Sequence, residues 1–338
     1  MQRKVVEDIM GMRIQDFQKL MRYKVREILL VASLYDYYLF EEDGRLYELI
    51  RQEYQALNLS QPPDITHVTS GEEAVSLLTS EDRFDLVIAT LHLEDMNVIH
   101  FAEKARQSGV NIPIVLLAYD SRERKELMVR YDLSVFERIF VWHGDYRLIV
   151  AIIKYIEDKL NVANDVKTFG VQCIILVEDS VSFYSSYLPL LYTEIFNQSR
   201  RLIAEGVNLT HKFLRMRARP KILLASTYEE AWLYFERYED YVLGVISDID
   251  FLYNGKKNPN AGVEFARAVK NRKADIPILL QSSNIDAMER AQSVGASFLQ
   301  KRSPTLLHDL GEFVKKNFGF GDFIFTLPDG TEVGRATN

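Results

Sequence analysis

Short apolar runs alternate along the chain with longer stretches in which apolar residues recur every three or four positions. The short runs are typical of buried β-strands and the longer stretches of amphipathic helices, and their alternation indicates βαβ units around a parallel sheet. In the second half of the chain, strands are predicted near 172–178, 221–226, 242–248, 277–282 and 297–301, and helices near 228–238, 261–272, 285–293 and from about 304.

The same series of elements occurs twice. The run "ILLV" at 28–31 matches "IILV" at 174–177, an offset of 146, and "LVIAT" ending at Thr90 matches "GVISD" ending at Asp248, an offset of 158. The run "IPIVLLA" matches "IPILLQS" at an offset of 164, so the second copy gains six residues just after its third strand. Offsets that grow along the chain indicate two copies of one domain. We therefore predict two doubly wound five-stranded parallel sheets in tandem, an α/β architecture whose ligand sites lie at the carboxyl ends of the strands.

Five segments follow from this repeat. They are an N-terminal helical segment at 1–25, a first domain at 26–160, a polar linker at 161–170, a second domain with an extended first helix at 171–318, and, at 319–338, a tail or the start of a downstream domain. The extended helical region from Ser180 to Arg219 contains Pro189 and ends in the basic run "HKFLRMRAR". Packing on its own domain or on a second copy, and a basic docking site for a partner, are both open interpretations of this region.

Composition narrows the classes of function. The chain has 338 residues, 47% of them hydrophobic, and a formal charge of -7, which disfavours nucleic-acid binding through overall charge. No apolar signal core and no run of roughly eighteen apolar residues is present, so we expect a cytoplasmic protein without a membrane segment. The single cysteine, Cys173, excludes an internal disulfide. No helix-turn-helix follows the second copy, so direct DNA binding is not expected.

Polar residues end the predicted strands of the second copy, at the positions Glu178, Asp179, Asp248, Ser282 and Lys301. Because the carboxyl ends of parallel strands meet at one edge of a sheet, we expect these side chains to converge. Three carboxylates form an oxygen-rich site suited to Mg2+. A carboxylate beside that ion can accept a phosphoryl group while a lysine neutralises the phosphoryl oxygens.

In this order, the motifs "VEDS", "VISDIDF", "PILLQSS" and "SFLQKRSP" resemble the receiver domains of two-component response regulators, the CheY-like family, over roughly 171–317. The resemblance implies a phosphoacceptor, Asp248, beside a Mg2+ site in which Asp179 binds the ion directly, Glu178 binds it through water and Asp250 offers its backbone carbonyl. It also implies that Lys301 binds the phosphate and that the Ser282 hydroxyl moves toward it. Phe298 would be the aromatic switch residue. Two departures stand out: Arg302 and Ser303 separate Lys301 from Pro304, and the loop after Asp248 carries the six extra residues.

The first copy lacks these groups. Ala32 and Ser33 stand at the positions of the acidic pair, and Thr90 stands at the position of the acceptor. Ala118 replaces the hydroxyl residue and Trp142 replaces the lysine. Since a fold can persist after its site is lost, we predict a degenerate pseudo-receiver that serves as a scaffold. The nearby acids Asp36, Glu41, Glu42 and Asp43 are interpreted as a solvated face.

The resemblance implies a two-component signalling protein rather than a turnover enzyme. A histidine kinase or phosphotransfer protein would supply the phosphoryl group, Asp248 would promote its own phosphorylation, and a change of conformation would act on a downstream output. A homodimer through the amphipathic helices is compatible with the sequence. The tandem arrangement also resembles the N-terminal part of larger bacterial signalling proteins.

Two other functions stay open. The motif "VISDIDF" also resembles the DxD motif of haloacid-dehalogenase-like phosphatases, in which Asp248 would be the nucleophile and Asp250 the general acid. The acidic pair that such an enzyme needs after its lysine is not present, because the pair here precedes it on another strand. The other alternative is a scaffold of two interaction domains without phosphorylation.

Overall fold

The computed structural model describes residues 20–41, 46–57, 59, 61–119, 132–204, 219–318, 323–326 and 332–336. These residues form two compact units. The first unit comprises Lys24–Ile156 and Val181–Pro189. The second comprises Glu157–Ser180 and Leu190–Asn338, together with the described residues that precede Lys24.

The first unit is built on a five-stranded parallel sheet with the strand order β2-β1-β3-β4-β5. The strands are β1 (Glu27–Val31), β2 (Asp64–Val68), β3 (Leu86–Thr90), β4 (Ile114–Ala118) and β5 (Arg138–Val141). The helices are α1 (Leu34–Glu41), α2 (Leu46–Ala56), α3 (Gly71–Ser80), α4 (Val98–Gln107) and α5 (Arg147–Phe169), the last of which continues into the second unit. Strands β3 and β4 are buried along their whole length, which explains why both are continuous apolar runs rather than alternating ones.

The second unit repeats this sheet with the order β7-β6-β8-β11-β12. Its strands are β6 (Cys173–Val177), β7 (Lys221–Ala225), β8 (Val242–Asp248), β11 (Ile278–Ser282) and β12 (Ser297–Gln300). Its helices are α6 (Val181–Ala204), of which Val181–Pro189 belong to the first unit, α7 (Tyr228–Tyr238), α8 (Ala261–Arg272), α9 (Ala287–Gln292) and α10 (Leu306–Asn317). Both sheets place the first strand between the second and the third, which is the flavodoxin-like order 2-1-3-4-5. The prediction of two doubly wound α/β domains is confirmed.

Strand register places the predicted site residues of the second unit on one rim. Val177 pairs with Ser247, Asp248 with Gln281, and Ser282 with Gln300. The strands therefore end at the same level, and the residues that follow them come together above the sheet.

The loop that carries the six extra residues differs from expectation, because it contains a β-hairpin. Strand β9 (Phe251–Tyr253) pairs antiparallel with β10 (Lys256–Asn258). The two strands are joined by Asn254 and Gly255, which have φ values of 52° and 72°. Asn-Gly with two positive φ angles is typical of a two-residue hairpin turn. We call residues Phe251–Asn258 the insert hairpin.

Residues 161–169, predicted as part of a polar linker, instead form the last part of α5. Their polar side chains include buried ones with partners. Asn161 accepts a hydrogen bond from the backbone N–H of Tyr23 at 2.9 Å, and Asp165 lies 3.0 Å from the Lys221 ammonium. Asn161 and Asp165 are thus polar residues that are buried and paired rather than exposed to solvent.

The ends of the chain are described only in part. Residues 1–19 lie outside the described residues, and α6 ends at Ala204. Of the basic run "HKFLRMRAR", only the last residue, Arg219, is described, and its buried guanidinium group lies 2.7 Å from the carboxylate of Asp158. In the predicted tail, β13 (Phe323–Thr326) pairs antiparallel with β14 (Glu332–Ala336).

A close approach at Gly262 gives a test of how α8 packs at the rim. A Cβ atom at Gly262 would lie 2.1 Å from the carbonyl oxygen of Asp248, whereas a Cβ atom at Gly311 in α10 would meet its nearest neighbour, Glu194, at 3.7 Å. We expect Gly262→Ala to lower the free energy of unfolding by about 1–3 kcal/mol, since the backbone of Asp248 must shift. Gly311→Ala should leave it unchanged or raise it by up to about 1 kcal/mol. Urea denaturation checks both values, and equal effects would contradict the close approach.

Candidate functional site

The centre of the site is the ammonium group of Lys301, which is buried between two carboxylates. Its Nζ atom lies 2.6 Å from Oε2 of Glu178 and 2.7 Å from Oδ2 of Asp248. The Lys301 side chain is 3% exposed and that of Glu178 is 1% exposed. Glu178 follows β6, Asp248 ends β8 and Lys301 follows β12, so one cation joins three strand ends. Buried charges are tolerated only when they are paired and hydrogen-bonded, as they are here.

Backbone groups orient both carboxylates. The N–H of Ser180 donates to Oε1 of Glu178 at 3.0 Å, and the N–H of Ile249 donates to Oδ1 of Asp248 at 2.7 Å. The Asp248 side chain is 12% exposed, so a ligand at the rim can reach it. The second carboxylate of the acidic pair, Asp179, is more open at 15% exposed.

A second lysine, which the sequence analysis did not single out, contacts the same acidic rim. Nζ of Lys257, from the insert hairpin, lies 2.9 Å from Oδ2 of Asp179 and donates to the backbone carbonyl of Asp250 at 3.3 Å. The carbonyl of Asp250 therefore lies beside the Asp179 carboxylate, while residue 250 itself is exposed. The only sequence signal for this contact is that Lys257 lies in the loop that is six residues longer in the second copy.

The three carboxylates have a spacing that suits a divalent cation. One oxygen from each of Glu178, Asp179 and Asp248 can be chosen so that all lie within 4.8 Å of one another. Mg2+ binds oxygen ligands at about 2.1 Å, so ligands on opposite sides of the ion are about 4.2 Å apart. Among the residues that the structure describes, no other group of three His, Cys, Asp or Glu side chains comes together in this way. The donor set therefore fits Mg2+.

Burial changes the acidity of the site. Desolvation raises the pKa of Glu178, the Lys301 ammonium lowers it and the nearby Asp248 carboxylate raises it, and the net result is a pKa of about 7. Desolvation acts to lower the pKa of Lys257, but its hydrogen bond and charge interaction with Asp179 prevail and raise it.

The two predicted switch residues lie on neighbouring strands next to this cluster. Ser282 ends β11, where its Oγ accepts a hydrogen bond from the N–H of Asn284 at 3.1 Å and its carbonyl accepts one from the N–H of Lys301 at 2.9 Å. Phe298 lies on β12 opposite Leu280 and packs, partly buried, against the hydrophobic core. The roles assigned to both residues stay predictions.

At the equivalent rim of the first unit, apolar packing replaces the polar cluster. Ala32, Thr90 and Ala118 are fully buried, and the Trp142 ring packs edge-on against Phe40 with ring centroids 5.0 Å apart. None of these positions offers a carboxylate, in agreement with the sequence.

One expectation for the first unit is wrong. Asp36, which we interpreted as part of a solvated face, has a side chain only 3% exposed, and it lies 3.9 Å from Nδ1 of His92. Asp36 lies in the first turn of α1, where the Tyr119 hydroxyl donates to its backbone carbonyl at 2.9 Å. The side chain of Glu41 and residues Glu42 and Asp43 lie outside the described part of the chain.

Several solved structures are similar to this chain. A probable two-component system response regulator/GGDEF domain protein is 17% identical, with a TM-score of 0.34, and the match covers 86% of this chain and 97% of that one. The receiver domain of the Francisella response regulator 1452 is 15% identical over 40% of this chain and 98% of its own, with a TM-score of 0.29. An adenylate cyclase from Rhodopirellula baltica is 17% identical over 42% of this chain and 96% of its own, with a TM-score of 0.31.

No protein-family model matches the sequence, and no curated protein matches it. Both sheets have the 2-1-3-4-5 order independently of the similarities above, and that order defines the fold. The chain contains two flavodoxin-like α/β domains in tandem. Among the described helices of these domains, none combines the length and the apolar character needed to cross a membrane.

The raised pKa of Glu178 predicts a pH dependence of stability in the second domain. A carboxyl group whose pKa rises from 4.5 to about 7 on folding holds its proton more tightly in the folded state. The contribution of this group to stability is therefore fully present below its pKa in the unfolded chain, 4.5, and is lost as the pH rises through its pKa in the folded chain, about 7. In chelator, we expect the free energy of unfolding of the native chain, relative to Glu178→Gln, to fall between about pH 4.5 and pH 7. Parallel pH profiles of the two chains in urea denaturation would contradict the buried position of this carboxyl group.

Proposed function

We propose that the second receiver-like domain accepts a phosphoryl group on Asp248 from a histidine kinase or phosphotransfer protein and thereby acts in two-component signalling. The observation that carries this proposal is the buried Lys301 ammonium, held at 2.6 and 2.7 Å by Glu178 and Asp248, beside a carboxylate set that fits Mg2+. Lys301 together with a bound divalent cation would supply the positive charge that phosphoryl transfer to an accessible carboxylate requires.

The proposed transfer step is a substitution at phosphorus. An oxygen of the Asp248 carboxylate forms a bond to phosphorus while the bond from phosphorus to the donor's imidazole nitrogen breaks. The electron pair of that bond stays on the nitrogen, which is left as neutral imidazole or takes a proton from solvent. The product is an acyl phosphate on Asp248, and no oxidant or reductant is needed.

The chain's own groups prepare this step. The Ile249 N–H and the Lys301 ammonium hold the two oxygens of Asp248, and this fixes the carboxylate toward the rim. In this proposal Asp179, Asp248 and the carbonyl of Asp250 would hold Mg2+, with Glu178 as a ligand through water. The bound ion would supply positive charge to the phosphoryl oxygens. Because the Lys301 ammonium already contacts Asp248, it is placed to interact with the negative charge of a phosphoryl group bound there.

Phosphorylation would change the balance of charge at a buried position. A phosphoryl group adds about 1.5 to 2 negative charges and three strong acceptors. Lys301, now shared between Glu178 and Asp248, would be drawn to the new group, and the Ser282 hydroxyl could turn from the N–H of Asn284 toward it. We infer that Phe298 transmits this change along β12 and that the first domain serves as a scaffold.

The direct test is the intact mass of the full chain after incubation with Mg2+ and acetyl phosphate. We expect one phosphoryl adduct on the native protein, none on Asp248→Asn and none after removal of Mg2+, because the variant lacks the nucleophile and the chelator removes the neutralising charge. Asp275→Asn is the matched control, since Asp275 is exposed and lies before β11, at the opposite end of that strand from Ser282.

Two results would count against the proposal. An adduct of equal yield on Asp248→Asn would place the phosphoryl group on another residue. Continuous release of phosphate with no accumulated adduct would favour a phosphatase of the haloacid-dehalogenase type instead.

A further inference from the structure

The insert hairpin occurs in the copy that keeps the acidic site. In the first unit the corresponding loop follows Thr90, and it contains an isolated bridge between His92 and Asn97. In the second unit the loop follows Asp248 and extends into β9 and β10, with Lys257 paired across the hairpin with Leu252. The second copy thus has both the longer loop and the three carboxylates, and the first copy has neither.

The hairpin is held in place at several points. Phe251 is fully buried, and Leu252 forms a bridge with Thr227 at the start of α7. The ring of Tyr253 stacks on that of Tyr228, with centroids 4.2 Å apart. The N–H of Asn254 donates to the carboxylate of Glu229 at 2.7 Å. These contacts fix β9, and the pairing of β9 with β10 then fixes the backbone of Lys257 over the acidic rim.

The Lys257 ammonium group contacts two of the groups that are expected to bind the metal. Its Nζ atom lies 2.9 Å from Oδ2 of Asp179 and 3.3 Å from the carbonyl oxygen of Asp250. An ammonium group and a hydrated Mg2+ ion seek the same oxygen donors, and their positive charges repel at short range. With Lys257 in place, the three carboxylates face two ammonium groups. Without it, they would retain two formal negative charges, which is the charge that a divalent cation neutralises.

We propose that Lys257 is a tethered cation that competes with Mg2+ for Asp179 and the Asp250 carbonyl and so sets the affinity of the second domain for the metal. The inference rests on the metal site of the proposed function. When a divalent ion binds, the ammonium group must leave these oxygens, and its side chain, which is 60% exposed, can turn into solvent without unfolding the hairpin. The metal-free site is stabilised by Lys257, and the lysine makes metal binding weaker than the carboxylates alone would allow.

The test is titration of the full chain with MgCl2 by calorimetry, comparing the native protein with Lys257→Ala and Lys256→Ala. Lys256 is exposed, lies in the same short strand, and points to its opposite side, so its substitution makes the same change of net charge. We expect Lys257→Ala to bind Mg2+ about tenfold more tightly, which corresponds to about 1.4 kcal/mol, and Lys256→Ala to stay within about twofold of the native value. Lys257→Arg keeps the charge and should remain near the native affinity.

Each outcome separates this inference from the proposed function. Equal tightening in both alanine variants would show a general effect of net charge and would overturn the role of Lys257. An unchanged or weaker affinity in Lys257→Ala, with Mg2+ still bound, would overturn it as well while leaving the metal site intact. If neither the native chain nor any variant binds Mg2+, the metal site of the proposed function is wrong and the inference fails with it. Near-ultraviolet circular dichroism of each variant shows whether the fold is retained.

Discussion

The arrangement of the second domain's rim depends on one interaction, the buried Lys301 ammonium shared by Glu178 and Asp248. This cation joins the ends of β6, β8 and β12 and leaves two carboxylates close together in a site with little access to water. Removal of one partner from such a group usually costs about 3–5 kcal/mol, because the remaining charge is left buried without compensation. The adjacent carboxylates of Glu178 and Asp179 can follow the buried strand β6 because each contacts a cation from another element: Glu178 contacts Lys301 and Asp179 contacts Lys257.

Comparison of the two domains shows that the sheet does not depend on which residues follow the carboxyl ends of its strands. The central strands of both sheets are buried, and the hydrophobic cores form around them. The rim can therefore carry Glu178, Asp248 and Lys301 in one copy and Ala32, Thr90 and Trp142 in the other without a change of strand order. The site, rather than the fold, carries the chemistry.

The sequence predicted the sheets well because buried parallel strands are short apolar runs between clear helical patterns. Val242–Asp248 and Ala261–Arg272 have the predicted limits. The insert hairpin was predicted as a loop, because its strands have three residues each and are too short for alternation to be visible. The contact of Lys257 with Asp179 could not be predicted, since it depends on the register of that hairpin. The last turns of α5 were predicted as a linker because buried polar pairs and solvated polar residues have the same composition.

The central claim is that Asp248, and no other residue, becomes the acyl phosphate. It is tested most directly by treating the full chain with acetyl phosphate and Mg2+, reducing it with borohydride, and sequencing its peptides by mass spectrometry. Borohydride converts an aspartyl phosphate to homoserine and leaves a free aspartate unchanged. The account predicts homoserine at position 248 alone, and only when Mg2+ is present. Homoserine at another aspartate, or none at all in a folded sample containing Mg2+, would contradict it.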